Sequence, residues 1–548
     1  MRWPEIAKIF SRYLFAFSIV LIIPLIVSVH FDYIPGTEHP GYGHSTWAFV
    51  KTIVITTFCA GGLYLVGRTA QGKLFRKEGL LLVALIWLLS PLFAALPFVF
   101  SQTLKSYSQA YFEATSGLTT AGATILCPKH YESHSKNEIP IEFTVLDTPP
   151  AHYSYYGTVK PVRDFTNGQI LFEGIEAVPK GLLFWRSFMQ WIGGIGVVLV
   201  FIAVLPALGM GAKLLFQAEA TGIVKDGVAP RIRQTARLTC SIYLALTGLQ
   251  IVLLEIFNQE LSFFDAICIA FSTVSTGGFC VRNSNIASYS SPVVEWIIII
   301  FMFLGSLNFS LYYFLIRKQF RRLKDVELLC YLIICVVFSS VVILNIKNTF
   351  VYFLNGSSFD VSYSDAVRLG CFQTISFLST TGFSIVNYNF WPYLSQMILL
   401  MSMFLGGMSG STSGGLKTIR TYLLFGLFKT KMNSIYRPER ISVFHINHQP
   451  VTRQMTTMVY AFFFIFIASI LLGTFVYLLE GLDLQTAFTL TGSMISNVGL
   501  GFRAAGPTES VAFLSSFGLF FSSFLMIIGR LEFFVILLLF MPSFWKNY

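Results

Sequence analysis

The stretch ATSGLTTAGAT, residues 114–124, places five Ser and Thr side chains and two glycines in eleven positions. It follows a long apolar run and a short helical one. Its side chains are too small for a buried strand, which favours β-branched and aromatic residues, and it carries no charge, unlike an ordinary surface loop. Three partial copies lie further along. LTTAGAT (118–124), VSTGGFC (274–280), LSTTGFS (378–384) and ISNVGLG (495–501) align on a glycine at the fifth position: Gly122, Gly278, Gly382 and Gly499. Two residues earlier stand Thr120, Thr276, Thr380 and Asn497. Three earlier stand Thr119, Ser275, Ser379 and Ser496. Each copy ends a short run (107–118, 263–274, 364–377 or 484–495) set between two longer apolar runs. The chain therefore repeats one unit four times, as helix, short helix, loop, helix, and a fixed internal unit decides an architecture.

The 548 residues are 54% hydrophobic and 12% charged, against roughly 25% charged in soluble domains. Mean hydropathy is +0.67. This is the composition of an all-α polytopic membrane protein. Ten runs reach spanning length, near 12–30, 47–67, 79–100, 182–207, 236–257, 292–316, 327–346, 393–428, 455–479 and 511–541. The four short runs fit re-entrant helices, which are tolerated at membrane depth where they are buried in protein or line water. The boundaries expected are 1–70 for two extra N-terminal helices, 71–212 for the first unit with a long extracytoplasmic insert at 125–181, 213–324 for the second, 325–440 for the third and 441–548 for the fourth.

Basic residues crowd 68–77 (Arg68, Lys73, Arg76, Lys77), 213–237 (Lys213, Lys225, Arg231, Arg233, Arg237), 317–324 and 417–453, whereas 31–46 has none. The positive-inside rule puts both termini and the basic loops in the cytoplasm. The net charge of +11 thus reflects topology, and no loop has the basic and aromatic layout of a nucleic-acid site. Most of the eight cysteines lie in apolar runs. Cys127 and Cys280 follow the unusual loops, and their pairing is not deducible. The first apolar run lacks a small-residue cleavage site and reads as a retained helix. His130 with His134, and His445 with His448, read as loop-surface pairs, with no third metal ligand in the pattern.

The repeat has a physical rationale in ion dehydration. A cation in a narrow pore exchanges water for oxygen ligands, and converging loops supply backbone carbonyls. Glycine reaches the backbone angles required, small hydroxyl residues fit the crowded axis, and each short helix aims its partly negative C-terminus at the pore. The candidate filter is Thr120, Ala121, Gly122 and Ala123; Thr276, Gly277, Gly278 and Phe279; Thr380, Thr381, Gly382 and Phe383; and Asn497, Val498, Gly499 and Leu500. Small-residue patches also serve helix packing, but four aligned copies in one context favour the filter. The eighth span reads GGMSGSTSGGLK over 406–417. Five glycines break a helix, each interior Gly costing about 1 kcal/mol, so Gly406, Gly407, Gly410, Ser411, Thr412, Ser413, Gly414, Gly415 and Lys417 form a candidate gate. A phosphate loop is excluded, because Leu416 separates Gly415 from Lys417. Arg530, in GRLE (529–532), lies at membrane depth and is a functional candidate, either as a barrier under the filter or as a hydrogen-bond anchor for the broken loop. Snorkelling at the cytoplasmic end is the alternative for Arg530 and Glu532. Arg186 reads as an outer-interface anchor, WIGGIG (191–196) as close helix packing, and Glu113 and Asp265 as caps or braces on the short helices.

ATSGLTTAGAT, LLFWRSFMQWIGGIG, TARLTCSIYLALTG, AFSTVSTGGF, GGMSGSTSGGLKTIR and GRLEFF together resemble, in order and over nearly the whole chain, the Trk/Ktr/HKT potassium transporter superfamily and its bacterial TrkH-type membrane subunits. The resemblance implies four units in a pseudo-fourfold, potassium-channel-like arrangement, with one key glycine per unit. It implies K+ held by filter carbonyls, a gating loop at 406–415 and a pore-cavity arginine at Arg530. It implies a homodimer in the bacterial inner membrane, docked on a TrkA-like cytoplasmic subunit that carries the nucleotide. This chain itself would bind no cofactor besides K+ and would be no enzyme. Ala121 stands where the family has Thr or Val, and the 125–181 insert is longer than the family's. Sodium-favouring plant relatives replace the first glycine with Ser, so four glycines favour K+. The function expected is K+ uptake driven by membrane potential, worth about 2.3 kcal/mol per charge per 100 mV, with coupling to H+ or Na+ left open. The alternatives are a sodium-permeable pore of the same fold and a secondary carrier, which calls for inverted repeats. A membrane enzyme would need paired carboxylates or His inside the spans.

Overall fold

A computed structural model describes residues 1–34, 45–70, 75–132, 137–145, 150–164, 168–208, 232–258, 260–437, 444–446, 449–531 and 533–546. Helices dominate it. Trp3–Val20 and Ile22–Tyr33 run together against Thr46–Val66, where Ser11 Oγ donates to the Ala60 carbonyl at 2.7 Å. The first unit is Arg76–Ala94 with Leu96–Phe100, then Tyr107–Leu118 and Lys180–Leu208. The second is Ile232–Phe257, Phe263–Val274, and Pro292–Gly305 with Phe309–Ile316. The third is Val326–Ile346, Tyr363–Leu378, and Tyr393–Phe404 with Thr418–Tyr436. The fourth is Arg453–Leu479, Leu484–Ser496, and Ser516–Arg530 with Phe534–Leu539. Among the described residues six helices are long and apolar enough to cross a membrane, or seven if one bent pair counts as a span.

The short helices begin where the sequence provides caps. Ser262, Ser362 and Asp483 accept from the backbone N–H groups of Asp265, Asp365 and Thr486 at 3.1, 3.2 and 2.9 Å, caps worth about 1 kcal/mol each. Asp265 also pairs with Arg282 at 3.0 Å, the bracing role expected of it.

Besides the expected break in the eighth span, two expected spans are not continuous. The 292–316 run bends by 94° between Gly305 and Phe309, where Asn308 caps the second piece by accepting from Ser310 N–H at 2.9 Å. The 511–541 run opens with a short turn at Val511–Phe513, forms the helix Ser516–Arg530, and restarts after Phe533 at φ 63°. Average hydropathy cannot see such breaks, because the residues around them stay apolar. The 393–428 run is interrupted between Phe404 and Thr418, as its glycines require. The basic loop at 213–231, together with Lys73, His134, His448 and Glu532, lies outside the described residues.

The 125–181 insert is the longest described segment without an α-helix. It forms antiparallel hairpins, with Ile141↔Tyr155 through Val145↔Ala151 the longest. It also reaches across units. The Tyr153 ring packs edge-on to Phe513 at 5.2 Å, and its hydroxyl donates to Asp483, the cap of the fourth short helix. Burial and that contact push the Tyr153 hydroxyl well above the usual phenol range. At its other end Asn283, in the second unit, accepts from Ile175 N–H at 2.7 Å and donates to the Glu173 carbonyl at 2.8 Å. The insert thus straps the fourth and second units to the first. Cys127 and Cys280 are buried free thiols, and His130 is exposed.

Candidate ion filter and gate

The four short helices end alike. The N–H groups of Ala121, Gly277, Thr381 and Val498 donate to the carbonyls of Ser116, Ser272, Ser376 and Ser493 at 2.9, 2.8, 2.9 and 3.0 Å. The N–H groups of Thr120, Thr276, Thr380 and Asn497 donate to Gly117, Thr273, Phe377 and Met494 at 3.2, 3.0, 3.1 and 3.4 Å. This is the Schellman ending, which needs a left-handed residue after the helix. That residue is Thr120, Thr276, Thr380 or Asn497, at φ 58°, 53°, 59° and 55°. Glycine would adopt these angles freely. A β-branched Thr there is strained, and strain shared by equivalent positions marks a functional constraint. Local bonds offset it: Thr120 and Thr276 hydroxyls donate to the preceding carbonyls at 2.6 and 2.7 Å.

Two residues on, Gly122, Gly278, Gly382 and Gly499 sit at φ 81°, 81°, 77° and 82°. A Cβ on Gly122 would strike the carbonyl oxygen of Gly277. One on Gly278 would strike that of Thr381, one on Gly382 that of Val498, and one on Gly499 that of Ala121. The contacts run from unit one to two, two to three, three to four and back to one. Four loops of one chain thereby close a ring, in which each glycine carries the carbonyl of its neighbour. The C-termini of four short helices lead into it, a partly negative surround. Ser116 and Ser376 hydroxyls, six residues before their glycines, donate to Ala123 and Phe383 carbonyls at 2.6 Å each. That position is Ser in all four units, and a wider alignment window would have revealed it.

The inner helices repeat as well. Ile192-Gly193-Gly194, Leu304-Gly305-Ser306, Leu405-Gly406-Gly407 and Ile528-Gly529-Arg530 correspond. Gly193, Gly305 and Gly529 lie against the carbonyls of Leu118, Val274 and Ile495, each four residues before a ring glycine. A side chain there would push the inner helix off the short one. Arg530 thus occupies the position held elsewhere by Gly194, Ser306 and Gly407.

The candidate gate covers the ring on the side of the short-helix ends. Gly406 N–H donates to Leu416 at 2.8 Å and Leu416 N–H to Phe404 at 3.0 Å, closing the loop at its base. At its tip, Thr412 Oγ1 donates to the carbonyls of Val274 at 3.2 Å and Gly305 at 3.1 Å. Gly414 N–H donates to Thr380 Oγ1 at 2.7 Å, and Gly414 lies on the Ser496 carbonyl. Lys417 is buried and donates to the Ser413 carbonyl. Glu327 Oε1 accepts from Ser409 N–H at 2.6 Å and Ile419 N–H at 3.3 Å. Met408 N–H donates to Ser306 at 2.9 Å, docking the loop on the bend of the second unit. Arg530 donates through Nη1 to the Thr412 carbonyl and through Nη2 to the Gly193 carbonyl, both at 2.8 Å. It ties the loop tip to the first inner helix rather than snorkelling.

A family model described as TrkH, cation transport protein, matches residues 163–547. The chain belongs to the TrkH family. The Trk system potassium uptake protein TrkH of Escherichia coli K12 is 28% identical over 561 residues, covering all of both chains. TrkG of the same organism is 29% identical over 509 residues, covering 92% of each. The crystal structure of the potassium transporter TrkH from Vibrio parahaemolyticus superposes with a TM-score of 0.77 at 25% identity over the whole of both chains. This TrkH-family chain is a membrane transporter, not an enzyme.

One sequence expectation is corrected in this TrkH-family chain. Arg186 is no interface anchor. It is 1% exposed and its Nε donates to Glu113 Oε1 at 2.8 Å. Its partner lies 73 residues earlier, so no local pattern could pair them.

The ring yields a paired prediction. Gly481 also has positive φ, 89°, but open space where a Cβ would go. Gly481→Ala should cost about 1–2 kcal/mol of left-handed strain and leave cation flux intact. Gly382→Ala carries that strain and also displaces the Val498 carbonyl, so it should abolish flux. Thermal melting and Rb+ flux into proteoliposomes check both, and normal flux through Gly382→Ala contradicts the ring.

Proposed function

We propose that this chain takes up K+ across the bacterial cytoplasmic membrane through a gated pore, down the membrane potential. The observation that carries the reading is the closed cycle of glycine and carbonyl contacts joining four non-identical loops. Such a ring can replace a cation's hydration shell with backbone oxygens. Ala121, Gly277, Thr381 and Val498 supply the carbonyls nearest the glycines. Relatives named as potassium uptake proteins along the full chain favour K+ over other cations.

In this reading the loop 406–417 is the gate and Arg530 its lock. A guanidinium beneath the ring opposes cation passage, and its two bonds hold the loop tip in place. Both termini and the basic loops face the cytoplasm, and the insert faces outward at the pore mouth. The helix Thr418–Tyr436 leads directly from the loop into a basic segment, so a TrkA-like nucleotide-binding partner docked there would pull on the gate. The working unit is a homodimer, each copy with its own pore. Coupling to H+ or Na+ would be an addition to potential-driven flow.

Uptake of radiolabelled Rb+ into proteoliposomes, with K+ or Na+ competing, tests the reading. K+ should compete strongly and Na+ weakly, and Gly278→Ser should erase the difference. Equal competition in the unmodified protein contradicts a potassium filter. Arg530→Gln removes two charge-assisted bonds and a positive charge. It should raise uptake about tenfold or more, since each such bond is worth about 1.5–3 kcal/mol. Unchanged or slower uptake by a folded Arg530→Gln protein contradicts its role as a lock.

A further inference from the structure

The ring is braced unequally, and the inequality lies beside one loop. Gln190, on the inner helix of the first unit, donates through Nε2 to the Gly277 carbonyl at 2.6 Å. Its Oε1 accepts from Phe279 N–H at 3.0 Å. One side-chain amide therefore holds the backbone on both sides of Gly278. One turn earlier, Arg186 donates through Nη1 to the Cys280 carbonyl and through Nη2 to Thr124 Oγ1, both at 3.1 Å. The guanidinium lies over the Phe279 ring at 4.1 Å. Its charge is balanced by Glu113, which also accepts from Thr124 Oγ1 and Ile125 N–H at 3.0 Å each. The first and second loops are thus pinned just past their glycines.

The other units lack these residues at the matching positions; in the third, Gln373 donates to the Phe383 carbonyl at 3.4 Å and accepts from Ser384 Oγ at 3.3 Å, reaching only one side of Gly382. Aligned on Gly193, Gly305, Gly406 and Gly529, the position of Gln190 is Met302, Met403 and Met526, and that of Arg186 is Ile298, Leu399 and Ser522. Glu113 corresponds to Ile269, Gln373 and Leu490 on the short helices. A Met side chain offers no N–H and only a weak acceptor, so it cannot grip a loop from both sides.

We propose that Gln190 and Arg186 set the ion preference of the pore by fixing the loop of the second unit. This rests on the potassium reading above. Neither residue faces an ion; they are positioning residues. In the snug-fit account of filter selectivity, a ring of carbonyls discriminates between cations when it cannot contract around the smaller one. A loop held on both sides of its glycine resists that contraction, and a fully hydrogen-bonded buried ion pair adds rigidity rather than net stability. Discrimination is thereby concentrated where the second loop meets the first and third.

The test is the ratio of Na+ to K+ concentrations that half-inhibit Rb+ uptake in proteoliposomes. A purely structural defect would lower the rate and the melting temperature, not this ratio. Gln190→Met imports the residue of the other three units at nearly constant volume. It should lower the ratio about tenfold, equivalent to about 1.4 kcal/mol of lost discrimination. Arg186→Lys keeps the charge beside Glu113 but not the fork, and should lower the ratio in the same direction. Ser187→Ala, on the same helix between them, should leave it unchanged. A folded Gln190→Met with a ratio within about twofold of the unmodified protein overturns the proposal. If Gln190→Met does not fold, an unchanged ratio in Arg186→Lys overturns it instead. An unmodified protein without K+ preference overturns the potassium reading itself, whereas equal selectivity of both proteins overturns this inference alone.

Discussion

Each ring glycine bears the carbonyl oxygen of the next unit where a Cβ would stand, and most of the chain's other features serve that contact. It fixes the left-handed angle at four glycines. It demands that four helices end at the same depth, each by the same pair of backbone bonds. Non-Gly residues must then take the left-handed position before the glycine, at a cost of the order of 1–3 kcal/mol each. The surroundings offset that cost with caps on three of the short helices and hydroxyl bonds at their ends. Inner-helix glycines bring the supporting helices close enough to touch.

The same geometry explains where the loop 406–417 lies. The loop reaches the ends of the short helices: Thr412 donates to the Val274 carbonyl, four residues before a ring glycine, the Gly414 N–H donates to Thr380 Oγ1, and Gly414 lies close against the Ser496 carbonyl. The loop thus adds hydrogen bonds at the base of the ring. Arg530 and Glu327 grip it from two sides. A continuous helix at 393–428 could not reach these groups, so the density of glycine there has a structural reason. On the opposite side the insert spans three units, so both faces of the ring are tied across unit boundaries.

The architecture was legible in the sequence wherever local chemistry recurs. Four aligned glycines, the Ser or Thr before them and the glycine-dense break at 406–417 marked the four similar loops and the interrupted span. The bend at Ser306–Asn308 and the restart at Phe533 were hidden, because a hydropathy window averages over a single polar residue. The Arg186–Glu113 pair was hidden for a different reason. A buried charge is legible only with its partner, and the partner comes from a helix beyond the long insert. The hairpins of the insert carry short, weakly alternating strands stabilised by distant units, Asp483 and Asn283 among them, which no local pattern announces. The common serine six residues before each glycine was visible but lay outside the window compared.

The central claim is that the four loops form one cation site. The most direct test is the anomalous scattering of Tl+ or Rb+ in crystals of this protein grown with that ion in place of K+. The account predicts an ion on the axis of the ring, coordinated by the carbonyls of Ala121, Gly277, Thr381 and Val498. Anomalous density confined to the insert or the surface, with none inside the ring, would contradict it.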